Sequence, residues 1–230
     1  MSSVVRQGGP AYAVLAMVCL ALAAGGAFAV REEFSTYLRT GSIVNRAKQI
    51  TPDMTIGLST NTMRATLGDC VGTMQRFKSL EVTFETPETR AGILNNCLAT
   101  ADEIAGRAPS LSLAWFTGAY AAIMLDDIAG FNDRMRRSQL TAPSEQWLAD
   151  MRVELAETHL SDLDAQTRAA HEEDLKLMVR SAVGLRNVAK RWIRDENFRT
   201  RIADIVETMP EETQQRFITN LQRAVRNAGR

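Results

Sequence analysis

Apolar residues follow two patterns along this chain. Over 7–30 they form one nearly unbroken run without a charge. Beyond residue 31 they recur at three- and four-residue spacing, the period of a helix with one buried face. No stretch alternates apolar and polar residues over strand length with turn signals at both ends, so the pattern predicts an all-α protein. Proline and capping residues divide the periodic part into helices expected near 31–49, 59–80, 87–106, 111–125, 127–139, 144–158, 164–194, 196–208 and 210–227. Thr51-Pro52-Asp53 marks a linker, and Pro210-Glu211-Glu212 gives the last helix an acidic first turn. The long segment 164–194 carries Leu175, Met178, Ala182, Leu185, Val188, Ala189 and Trp192 along one side, a stripe expected to face the core. The chain thus divides into a leader over 1–30, a connecting helix and linker over 31–58, and a helical body over 59–230, built as antiparallel hairpins.

The leader has two readings. As a helix, 7–30 is 24 residues and roughly 36 Å long, enough for a hydrocarbon core of about 30 Å. As a secretory signal it offers Arg6 and the amino terminus, an apolar middle, glycines 25 and 26 to weaken the helix, and Ala27-Phe28-Ala29 as a cleavage site. Retained or cleaved after Ala29, it places the body outside the cytoplasm, in the periplasm of a bacterium. Arg31, Arg39, Arg46 and Lys48 on the far side keep a reversed orientation open. Cys19 reads as leader filler, since Val18 is too bulky to precede a lipidated cysteine.

Cys70 and Cys97 remain in the body. Thr86 is placed to cap a helix that opens with Pro87 and Glu88. The midpoint of positions 70 and 97 is 83.5, inside the turn before that cap. In an antiparallel hairpin the two thiols therefore lie level, near the 5.5–6 Å or so that a disulfide spans. A disulfide would persist only in an oxidising compartment; the other reading is a pair of small buried thiols. No C-x-x-C spacing points to redox catalysis.

One offset repeats. Ala108-Pro109-Ser110 returns 34 residues later as Ala142-Pro143-Ser144, each triplet ending one helix and capping the next, with Trp115 and Trp147 soon after. Over 112–145 the chain resembles a tetratricopeptide repeat in Trp115, Ala119, Ser138 and Pro143. Phe131 departs from the small residue that the family places at the helix crossing, and Gly118 and Ala122 replace larger side chains. The resemblance covers about one repeat and implies helical hairpins that present a binding groove; a generic helical bundle is the alternative.

Charge and chemistry narrow the function. With 45% apolar and 23% charged residues the chain is neither disordered nor of low complexity. Its 27 basic and 27 acidic residues cancel, which argues against a nucleic-acid binder. They separate locally: 145–174 holds nine acidic and two basic residues, and 175–230 twelve basic and six acidic. Arg186, Lys190, Arg191, Arg194, Arg199 and Arg201 form the densest basic group, with Trp192 among them. Their expected uses are anionic head groups, an acidic partner or polysaccharide, or the chain's own acidic segment. The run 171–174 is expected to be a solvated acidic first turn, and Asp126-Asp127 a cap. Neither is expected to bind a metal, and no cofactor or catalytic residue is indicated.

The expected function is an exported or inner-membrane-anchored helical adaptor for another envelope protein. Trp115, Trp147, Arg186, Lys190, Arg191, Trp192 and Arg194 are its possible binding surface. A ligand-binding or enzymatic domain acting on cell-wall or exported polysaccharide, and a structural single-pass subunit of a membrane complex, are the alternatives.

Overall fold

The helices start where the sequence supplies caps. The structure, a computed structural model, describes residues 9–228; Arg6 and the amino terminus lie outside them. Among the described residues there are twelve α-helices, one 3-10 turn and no strand. The chain is all-α.

Helix α1 (Gly9–Tyr37) carries the apolar run. Its segment Ala11–Phe34, 24 residues of mean hydropathy 2.4 with its apolar window wholly unburied, is long and apolar enough to cross a membrane. Gly25 and Gly26 do not interrupt it. Each costs about 1 kcal/mol relative to alanine, which the alanine-rich flanks absorb. The helix expected over 31–49 is instead two. Gly41 turns the chain at φ 95°, where a Cβ would be strained, and the Ser42 hydroxyl then accepts from Asn45 N at 3.1 Å to start α2 (Ile43–Lys48). Before this turn, the end of α1 and the residues just after it are held to the body. Glu33 accepts from Ser59 N and Oγ at 2.5 and 2.7 Å, and buried Arg39 donates to Thr66 Oγ1 at 2.9 Å beside Asp69 at 3.4 Å.

Helices α3 (Thr60–Met74), α4 (Leu80–Thr83) and α5 (Pro87–Arg107) follow. Thr86 caps α5 as its sequence predicts, accepting from Thr89 N at 3.2 Å. Arg107 at the end of α5 reaches the carbonyls of Ile56 and Gly57 before α3, so the two helices are antiparallel. Cys70 and Cys97 meet across them as a disulfide, Cα atoms 5.7 Å apart. Helices α6 (Ser112–Met124) and α7 (Ile128–Thr141) pack next. At Gly118 a Cβ would approach Arg134 Cδ to 2.8 Å. The bare backbone lets Arg134 cross α6 and fork onto Asp102 of α5 at 2.9 and 2.7 Å.

The remainder is α8 (Gln146–Thr158), a 3-10 turn (Leu160–Asp162), α9 (Ala165–Arg180), α10 (Ala182–Arg194), α11 (Glu196–Glu207) and α12 (Glu211–Ala228). The single helix expected over 164–194 breaks at Ser181, which leaves the helical region at φ −99°, ψ 146° and caps Gly184 N at 2.9 Å. Nothing larger than glycine fits at 184, since a Cβ would lie 2.5 Å from the Met178 carbonyl. Leu175, Met178, Leu185, Val188 and Ala189 of the stripe are buried, while Ala182 at the break is exposed.

Two apolar cores result. One gathers side chains of α2, α3 and α5 to α7, including Leu67, Ile104, Phe116 and Phe131. The other joins α9 to α12 through Leu175, Met178, Phe198, Ile202 and Phe217. Helix α8 serves both, Leu148 and Ala156 facing the first and Ala149 and Val153 the second. At this seam lies a buried polar network. Arg152, 1% exposed, meets Asp174 at 2.6 and 2.7 Å. Its other bonds go to Ser138 O and Oγ and to Ala142 O at 3.2, 3.3 and 3.2 Å. Ser112 Oγ donates to Ser138 O at 2.5 Å. All five guanidinium N–H groups are satisfied, as a buried charge requires.

Candidate functional site

Helix α10 is the ridge on which the basic group sits. Its Leu185, Val188 and Ala189 are buried, and Arg191 and Arg194 in the last turn favour the negative end of its dipole. The basic residues divide into two sets. Arg191 pairs with Glu154 at 3.0 Å and lies 5.7 Å over the Phe198 ring. Arg199 donates to the carbonyls of Trp192 and Ile193 at 2.8 and 3.1 Å, closing the end of α10. Arg201 pairs with Glu157. These three are used internally. Arg186, Lys190 and Arg194 are exposed and, among the described residues, make no ion pair or hydrogen bond.

A cleft opens on each side of this ridge. The first, of about 670 Å³, is lined by Tyr120, Asp150, Glu154, Asn187, Arg191 and others, with Lys190 and Arg194 at its wall. Its charges are largely matched, Asn187 donating to Asp150 at 3.0 Å. Burial and the Glu154 charge push the Tyr120 hydroxyl above its ordinary range. The second, of about 550 Å³, lies between α10 and α12. Its floor is Ala182, Ala189, Ile193 and Ala224, and its cations are Arg186, Lys190, Arg194 and Arg223 with no carboxylate among the lining residues.

The tryptophans are elsewhere. Trp115 donates its indole N–H to Pro109 O at 2.8 Å, and Arg137 lies 5.0 Å over its ring. Trp192 is covered by Arg199 at 5.1 Å and borders a shallow hollow with Leu221 and Val225. Trp147 is half-exposed. None of the three lines the clefts beside α10.

Asp127 caps α7 by accepting from Gly130 N at 2.9 Å. The run 171–174 differs from the solvated turn expected of it. His171 and Asp174 are buried, because both fall on the face of α9 that carries Thr167, Leu175 and Met178. His171 Nε2 meets Glu157 Oε1 at 2.8 Å. No group of three potential metal-ligating side chains is found among the described residues.

Glu157 gives this region a pH signature. Burial pushes its carboxyl up, but hydrogen bonds from His171 and Arg201 outweigh burial and hold it below its ordinary 4.5. A carboxyl depressed in the folded state adds stability that is present above its unfolded pKa, about 4.3, and is lost as pH falls through the folded value. Glu157→Gln should therefore melt below the wild type at neutral pH, with the gap closing as pH falls below about 4. Thermal melts across that range check the closure.

The chain was compared with known protein families, curated proteins and solved structures, and none matches.

Proposed function

We propose that this chain is a membrane-anchored helical adaptor of the bacterial envelope, its body on the periplasmic side, that binds another envelope protein through the α10 ridge. The observation that carries the reading is the division of the basic group. Arg191, Arg199 and Arg201 are spent on internal contacts, whereas Arg186, Lys190 and Arg194 stand unpaired beside a cleft. Three solvated cations in a row repel one another and pair with no acid of the fold among the described residues, which supports a use outside it. The apolar span of α1 supports an anchor, and the Cys70–Cys97 bridge supports an oxidising compartment. Hairpins such as α6–α7, where Ala119 and Ser138 are buried, are the tetratricopeptide-like scaffold of this reading. A polysaccharide role is less favoured, because a guanidinium lies over one face of Trp115 and one face of Trp192, where a sugar would stack.

The test is purification of the intact chain from bacterial membranes in mild detergent. An adaptor brings down one envelope protein in stoichiometric amount, released as salt is raised. Recovery of the chain alone contradicts the role.

A further inference from the structure

Building on that adaptor role, we infer that the groove between α10 and α12 receives an acidic amphipathic helix of the partner protein. The groove asks for an occupant that is apolar and anionic at once. Its floor is alanine and isoleucine, its four cations face no lining carboxylate, and half-exposed Val183 lies one turn before Arg186 on the same face of α10.

The spacing of the charges selects a helix. Arg186, Lys190 and Arg194 succeed one another at four-residue intervals, which spreads them over about 12 Å of α10. A single phosphate or carboxylate head group is too compact to meet such a row. Acidic side chains one turn apart on a docked helix match it, with their apolar stripe laid on the floor. A bilayer surface, the other occupant that is apolar and anionic at once, is separated by the test below. A second copy of the chain is a poor occupant. Seven of the nine acids in its acidic segment, Asp150, Glu154, Glu157, Asp162, Asp164, Glu173 and Asp174, already have partners. The occupant is therefore assigned to another protein.

The full chain in mild detergent is titrated with a synthetic helix that carries glutamates at four-residue spacing beside a leucine stripe. Binding should be saturable and weaken with salt, and should fall at least about tenfold in R186Q/K190Q/R194Q. The reversed variant R186E/K190E/R194E should instead prefer the same peptide with lysine for glutamate, a gain that misfolding does not produce. No saturable binding, equal binding of the glutamine version of the peptide, or equal binding by R186Q/K190Q/R194Q would overturn the assignment. So would displacement of the peptide by vesicles of phosphatidylglycerol and phosphatidylcholine in equal parts, since that makes the occupant a lipid. The adaptor role is scored apart from the groove. A protein that co-purifies equally with wild type and R186Q/K190Q/R194Q leaves the role and removes the groove; a wild-type chain that brings down nothing removes the role.

Discussion

Arg152→Ala is expected to lower the unfolding free energy by about 3–5 kcal/mol, the usual cost of stranding one partner of a buried ion pair. In a domain whose total stability is about 5–15 kcal/mol, this is among the largest effects available to one substitution. The cause is local. Asp174 would lose both of its guanidinium bonds at 2.6 and 2.7 Å, and Ser138 O and Ala142 O one donor each, at a buried site. Burial already pushes the Asp174 carboxyl above its ordinary range, and without Arg152 it rises further. A carboxyl raised in the folded state costs stability as pH climbs through the interval between its unfolded and folded values. Arg152→Ala should therefore recover part of its loss in mild acid, and Asp174→Asn added to it should recover part at neutral pH. A shape-matched apolar pair, Arg152→Met with Asp174→Leu, should cost far less than Arg152→Ala alone, because it removes both charges together. Chemical denaturation of the wild type, Arg152→Ala, Asp174→Asn and the double Arg152→Ala/Asp174→Asn measures the coupling. Additive losses in that set would mean that the pair does not act as a unit.

The second large effect is at Cys70 and Cys97. Reduction, or replacement of both by alanine, should cost about 3–4 kcal/mol, from a closed loop of sequence separation 27. The loss should appear equally whether the bridge is removed by reductant or by mutation, apart from the small cavities alanine leaves. A reductant that shifts the double-alanine variant as much as the wild type would show that the bridge is not the cause.

The helices and the bridge were legible because both rest on local rules. Thr86-Pro87 marks the start of α5 by capping chemistry that needs no distant partner, and level cysteines follow from the midpoint of a hairpin. The breaks at Gly41 and Ser181 were missed for one physical reason: each is a capping event inside an otherwise periodic segment, where the apolar stripe continues across the bend. The Arg152–Asp174 seam was hidden differently. Asp174 lies in a run of acidic residues that reads as solvated, yet His171 and Asp174 share the 3.6-residue face of Leu175 and Met178. A polar residue on an apolar face signals a buried partner, although the sequence does not say which arginine supplies it. The basic group was visible in the sequence, but only packing shows that Arg191, Arg199 and Arg201 are occupied while Arg186, Lys190 and Arg194 are not. Of the tryptophans read from the sequence as part of a binding surface, Trp115 and Trp192 each carry a guanidinium over the ring, a contact between helices that spacing along the chain does not show.

Everything about compartment turns on the sulfurs. The full-length chain, taken from bacterial membranes into denaturant with a thiol-trapping maleimide already present, can be counted for labels before and after reduction. A body that matured beyond the membrane should show only Cys19 labelled at first, or no label if the leader has been cleaved, and should gain two labels once reductant is added. Cys70 and Cys97 both labelled without reductant would contradict the account at its root.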